Sequence, residues 1–167
     1  MTTVISHFSA LRAIRRARRA YSALPWGIID DRQQAQALAS CVPNKDAIDF
    51  VALAMLDAWS EDDSERLDLL VAGGNNRRPD GRLLQHSVTA PLPAEAIMHI
   101  EADIYATSPA MTAMLCSRNE PVAKVLMLLM ELLGSYSLPP EITNPIAHDD
   151  TWPKAGSSEA MDDLDCH

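Results

Sequence analysis

The amino-acid sequence predicts an α+β domain, and three observations support this fold class. Apolar residues recur at helical spacing near the start of the chain and again between residues 108 and 133. Between residues 67 and 107 they form short runs that alternate with polar residues, as strands do. At 167 residues and 47% apolar content, the chain can fill one core. We therefore expect a small, mostly antiparallel sheet of about four strands, packed with a buried C-terminal helix pair and N-terminal helices.

The first predicted helix begins at Ser6, a residue type that caps helix N-termini. Phe8, Leu11 and Ile14 follow at helical spacing and predict the buried side, while arginines occupy the rest of the surface. Pro25 ends this region.

A second helix is expected to begin at Asp30 or Asp31 and to end before Pro43. The apolar run over residues 47–59 is compatible with a buried helix or with a strand. Its alanines alternate with larger residues, which favours a helix.

Four short runs predict the strands, and turn residues separate them. Glycines and asparagines occupy residues 73–76, and Pro91 and Pro93 follow the second run. Because the connections are short, we expect largely antiparallel pairing. The predicted strands comprise Leu67–Val71, Leu83–Val88, Ile97–Glu101 and Ile104–Thr107.

The C-terminal pair begins with Ser108, an N-cap followed by proline, and its first helix runs to about Cys116. A second helix restarts around Pro121 and continues through Leu133, where Gly134 supplies a C-cap. Nearly every face of this helix is apolar, so we expect it to be buried all round. It is too short to span a bilayer.

Charge is distributed unevenly along the chain. The net charge is −9, yet residues 1–40 carry +4 and residues 141–167 carry −6. We expect one domain over residues 1–143 and an acidic, flexible tail over residues 144–167, because the tail lacks an apolar period. Two interpretations fit this asymmetry. The basic and acidic segments could neutralise each other and keep the protein soluble, or they could contact a charged partner.

The three cysteines, Cys41, Cys116 and Cys166, show no disulfide or metal-ligand spacing. They predict free thiols in a reducing compartment. No targeting segment opens the sequence, so we expect a cytoplasmic protein without a membrane anchor.

Several short motifs carry a resemblance to a known family. They are SHFSAL at residues 6–11, the glycine-rich basic loop at 73–78, PLP at 91–93, IYATSP at 104–109 and MELLGSYSL at 130–138. Over about residues 5–140 the chain resembles hypothetical actinobacterial proteins that are similar to antitoxin-like proteins of the AbiE abortive-infection type. In those proteins, this region precedes a Vsr-like or restriction-like endonuclease domain.

The resemblance does not extend to nuclease activity. A metal-dependent nuclease needs clustered carboxylates and a lysine or its equivalent to position water. Lys45, Lys124 and Lys154 are the only lysines, and none follows a glutamate at the required spacing. We therefore expect no catalytic residues.

Two groups of histidines are further candidate sites. His86 and His99 lie on predicted strands, with Glu101 and Asp103 nearby, and could form an acid/base group. Half-buried strand histidines with backbone partners are the more common case. The tail run His148–Asp150 has metal-ligand residue types but lacks a second fixed set of ligands. The sequence thus predicts no metal and no cofactor.

Arginines form the strongest candidate binding site, because a cluster of guanidinium groups can contact phosphates. The alternative is that they pair with carboxylates of the same chain. The residues assigned to nucleic-acid or anion binding are Arg12, Arg15, Arg16, Arg19, Arg77 and Arg78.

We predict a non-enzymatic, antitoxin-like or phage-defence-related regulator that contacts a partner protein, namely a toxin or a nucleic-acid-handling enzyme, or contacts nucleic acid. Self-association is a further expectation. One alternative is an acidic inhibitor that mimics nucleic acid and blocks a nucleic-acid-handling enzyme. Another is a degenerate relative of a nuclease.

Overall fold

Six strands form one mixed sheet within the part of the chain that the computed structural model describes, residues 2–21, 23–41, 44–60, 66–73, 81–118 and 120–133. The strands are β1 (Thr3–Ile5), β2 (Gly27–Ile28), β3 (Leu67–Ala72), β4 (Leu83–Val88), β5 (Ile97–Glu101) and β6 (Ile104–Thr107). Their order across the sheet is β2-β5-β6-β1-β3-β4. Pairs β1–β3, β2–β5 and β5–β6 are antiparallel, whereas β1–β6 and β3–β4 are parallel.

The α+β class is confirmed, but the prediction of about four mostly antiparallel strands is inexact. Four predicted strands are present, and β1 and β2 are added to them. All three residues of β1 are buried, so they show no alternation of apolar and polar side chains. The parallel pairing of β3 with β4, in which Leu67 faces Leu83, departs from the expectation that a short connection joins antiparallel strands.

The described residues also form five α-helices. They are α1 (His7–Ala20), α2 (Asp31–Ser40), α3 (Phe50–Met55), α4 (Pro109–Cys116) and α5 (Val122–Leu133). Asp30 caps α2 through a reciprocal pair of hydrogen bonds with Gln33, at 2.7 and 2.9 Å. Ser108 caps α4 as predicted, because its hydroxyl accepts from the Met111 amide. The ambiguous run over residues 47–59 contains a helix, α3, and no strand.

Helices cover both faces of the sheet. Ile5 belongs to a core cluster that includes Leu11 and Ile14 of α1 and Leu132 of α5. The preceding residue, Val4, belongs to a second cluster with side chains of α2. Because neighbouring residues of a strand point to opposite faces, β1 lies in the middle layer of a three-layer arrangement.

Helix α5 is not buried all round, so the expected buried C-terminal helix pair is only partly present. Leu128 and Leu132 are buried, but Leu126 and Leu133 are exposed. Neighbouring elements cover one side of α5 and leave the other open. None of the helices in the described part of the chain is both long and apolar enough to cross a bilayer. Gly134 and the predicted tail over residues 144–167 lie outside the described residues.

Candidate functional site

The arginines of α1 make specific contacts within the chain. Arg12 donates to the backbone carbonyls of Asp57, at 3.2 Å, and Ala58, at 2.9 Å, after the end of α3. Arg15 forms a bidentate ion pair with Glu131 of α5, with N···O distances of 2.6 and 2.7 Å. Such a fork is the geometry in which guanidinium and carboxylate groups bind most strongly.

Arg18 and Arg19 continue this pattern. Arg18 donates to the backbone carbonyls of Glu131 and Leu132, in the last described turn of α5. Arg19 lies 3.2 Å from the Asp57 carboxylate in an exposed pair. Arg16 is exposed, whereas Arg77 and Arg78 lie outside the described residues. Most of the predicted anion-binding residues of α1 therefore contact their own chain, and phosphate binding stays a prediction.

A second cluster joins His7, Asp68 and His86. His7 opens α1 directly after β1, Asp68 lies in β3 and His86 lies in β4. One ligand atom from each side chain lies within 4.8 Å of the other two. Since β1 pairs with β3 and β3 pairs with β4, the sheet itself brings these three elements together. Two imidazoles and a carboxylate could exchange protons or hold a metal ion.

Short contacts define the geometry of this cluster. The Asp68 Oδ1 atom lies 2.8 Å from the His86 Nε2 atom. The rings of His7 and His86 stack with their centroids 3.6 Å apart and a 20° angle between their planes. His7 Nδ1 lies 3.0 Å from the Ser6 hydroxyl. Each histidine therefore has a polar partner as well as the other ring.

The backbone around the cluster is equally constrained. The Ser6 amide donates to the Asp68 carbonyl at 2.9 Å, and the Asp68 amide donates to the Ser9 hydroxyl at 3.0 Å. His7 has a φ of 45°, in the left-handed region that non-glycine residues seldom occupy. Such conformations cost about 1–3 kcal/mol and concentrate at functional sites. The strain at His7 thus coincides with the position where the cluster forms.

Burial governs the protonation of the groups nearby. The pKa of His7 falls from 6.5 to about 4, first because burial disfavours the charged ring and then because His86 and Arg118 repel it, while Asp68 acts in the opposite direction. His7 is consequently neutral near pH 7. Burial also raises the pKa of the Cys116 thiol to about 12, and the negative charge of Asp68 adds to this effect. Cys116 therefore stays protonated.

Sequence reasoning identified His86 but assigned it to the wrong group. His99 lies on β5, which is separated from β4 by three strands, and its Nε2 atom contacts the Ala102 carbonyl at 2.9 Å. This is the backbone partner expected for an ordinary strand histidine. His7 and Asp68 were missed as site residues. The available signal was Asp68 itself, a carboxylate within the otherwise apolar segment LDLLVA.

A third feature is an apolar surface on α5. Its exposed side carries the large side chains Val122, Leu126, Met130 and Leu133. Leu133 also lines a groove of about 510 Å³, together with Ile28 of β2, Met98 of β5 and Met114 of α4. We call this combination of exposed helix side and groove the α5 surface.

In comparisons with known proteins, no family model, no curated protein and no solved structure matched the chain.

Proposed function

We propose that this chain is a non-enzymatic binding protein, an antitoxin-like or defence-related regulator, and that it contacts a partner protein through the α5 surface. The observation that carries the proposal is the exposure of four apolar side chains on one side of a single helix. Val122, Leu126, Met130 and Leu133 expose 75, 55, 61 and 59% of their surface. Contiguous apolar patches of this kind mark interaction sites in soluble proteins.

The spacing of these residues shows that the patch is continuous. They follow one another by four, four and three positions, so they project from the same side of a helix. Leu128 and Leu132 occupy the opposite, buried side. A partner helix with apolar residues at matching intervals could lie along α5 and enter the adjoining groove. The resulting interface would have an apolar centre, as stable protein interfaces do.

Charge indicates the kind of partner. The α5 surface carries apolar side chains, while the chain as a whole has a net charge of −9. A partner with an apolar contact segment would fit the α5 surface, and a net positive charge would favour its association with an acidic chain. Proteins that handle nucleic acid have basic surfaces of this sort, which suits a toxin or a nucleic-acid-handling enzyme. Buried free thiols at Cys41 and Cys116 fit a reducing, cytoplasmic setting.

The alternatives make different predictions. An acidic inhibitor that mimics nucleic acid would bind through carboxylates, so its affinity would fall steeply with salt and would tolerate changes on α5. A degenerate nuclease would need clustered carboxylates, whereas the His7–Asp68–His86 cluster contains one. Direct nucleic-acid contact would depend on exposed arginines such as Arg16.

Photo-crosslinking in cells can test the proposal. A photoreactive amino acid at position 126 should give an adduct with a partner protein, which mass spectrometry would identify. The same amino acid at Met55, which lies on α3 and is 75% exposed against 55% for Leu126, is the control and should not give that adduct. The purified partner would then be titrated with the chain by calorimetry.

In that titration, the double variant Leu126→Lys/Met130→Lys should bind at least about tenfold more weakly, because a charged residue would be buried in an apolar contact. The variant Val51→Lys/Met55→Lys on α3 should bind like the wild type, and both should keep the wild-type melting temperature. Equal binding by the two variants would refute the α5 surface. If the only crosslinked product were a dimer of this chain, the α5 surface would mediate self-association and not contact with a partner protein.

A further inference from the structure

We propose that His7, Asp68 and His86 form a binding site for a divalent transition-metal ion, with Zn²⁺ as the ion that fits the donor set best. The three residues come from α1, β3 and β4, and their candidate ligand atoms lie within 4.8 Å of one another. Two imidazole nitrogens and one carboxylate oxygen are a donor set that zinc sites use. This site is separate from the α5 surface and does not depend on it.

The distances suit a small ion. Ligands about 2.0–2.1 Å from a tetrahedral metal lie roughly 3.3 Å from one another. His86 Nε2 and Asp68 Oδ1 are already 2.8 Å apart. The His7 ligand atom lies within 4.8 Å of both of these atoms, so a small shift of its ring that keeps the Ser6 contact would bring a third donor to the same point. The hydrogen bond between His86 and Asp68 would then give way to two metal–ligand bonds.

Ser6 prepares His7 for this role. In the tautomer with its proton on Nδ1, His7 donates to the Ser6 hydroxyl, 3.0 Å away, and Nε2 is left to bind the ion. Histidine ligands generally have such an outer partner, which fixes the ring and its tautomer.

The surroundings admit the ion without closing the site. Asp68 is buried, but the His86 side chain keeps 27% of its surface exposed, so an ion can enter from solvent. Arg118 is the cation that acts on His7, and because its side chain is exposed, water screens its repulsion. Three protein ligands leave a fourth position for water.

The test is a calorimetric titration of the full chain with ZnCl₂ after treatment with a chelator. The wild type should bind Zn²⁺ at this site, and His7→Gln and His86→Gln should each weaken that binding at least tenfold. His99→Gln is the matched control, since it removes a strand histidine of the same sheet outside the cluster. His148→Gln controls for binding by the acidic C-terminal segment. Both control variants should bind like the wild type.

Co²⁺ provides a second readout that does not depend on affinity. Bound at this site, it should give the visible absorption of a four-coordinate ion, and His7→Gln should abolish that band. Circular dichroism of each variant without metal would identify any variant that fails to fold, and His7→Gln is the decisive one because its ring is only half-buried. Absence of Zn²⁺ binding by the wild type up to about 1 mM would overturn the proposal. Binding that survives in His7→Gln and His86→Gln would do so as well.

Discussion

Replacing Arg15 with glutamine should destabilise the protein far more than replacing Arg19, although both are arginines of α1 with a carboxylate partner. The Arg15 and Glu131 side chains expose only 13 and 9% of their surface, and two short hydrogen bonds join them. The Arg19 and Asp57 side chains expose 50 and 51% and lie 3.2 Å apart. The two pairs therefore differ mainly in their access to water.

The expected magnitudes follow from that difference. Removing one partner of a buried ion pair costs about 3–5 kcal/mol, because the remaining charge is left without compensation. Water still reaches the 9% of the Glu131 side chain that is exposed and partly compensates its charge. We therefore expect Arg15→Gln to lower the free energy of unfolding by roughly 2–4 kcal/mol. Arg19→Gln should cost no more than about 1 kcal/mol, as exposed pairs do.

Urea unfolding followed by circular dichroism would measure both losses, provided that the slope of the transition is the same in each variant. The double variant Arg15→Gln/Glu131→Gln should lose less than the sum of its single changes, because the two side chains interact. If Arg15→Gln and Arg19→Gln lost the same amount, below about 1 kcal/mol, the assignment of Arg15 as the link between α1 and α5 would be refuted.

Three further predictions concern other parts of the molecule. Leu132 lies in the core, so Leu132→Ala should lower the free energy of unfolding by about 2–5 kcal/mol. Leu126 is exposed, so Leu126→Ala should lower it by less than about 1 kcal/mol. Equal losses of stability in thermal melts would contradict the orientation of α5. Cys116, with its pKa raised to about 12, should resist iodoacetamide at pH 8 until the protein is unfolded, as peptide mass spectrometry would show; rapid labelling of the folded chain would contradict its burial. If α1 contacts phosphate, a gel shift with duplex DNA at about 50 mM salt should weaken at about 200 mM and in Arg16→Gln; no shift at the lower salt would exclude this contact.

The sequence correctly predicted the helices and strands whose formation is determined by residues close together in the chain. The Ser108–Pro109 pair correctly marked the start of α4, and alternation correctly marked β5 and β6. β1 and β2 were missed because three and two residues are too few to show a period. Their strand conformation comes from pairing with segments that are distant in the sequence, so a short stretch of residues does not reveal it.

The α5 surface and the His7–Asp68–His86 cluster both depend on tertiary structure. Helix α5 is apolar on almost every side, so its sequence does not indicate which side its neighbours cover. That choice is made by contacts such as Arg15 with Glu131, which join residues 116 positions apart. Likewise His7, Asp68 and His86 come from three separate elements. Only pairing of β1 with β3 and of β3 with β4 brings them together.

The central position of β1 has a consequence for how the chain folds during synthesis. Thr3–Ile5 precedes the other described strands in the chain, and both of its neighbours in the sheet, β3 and β6, are made much later. At about 5–20 residues per second, the ribosome needs roughly 5–20 s to reach β6 after completing β1. Until both β3 and β6 have been made, the apolar side of α1 lacks the completed sheet on which it packs. The nascent chain therefore offers chaperones the apolar side of α1 until β6 has been translated.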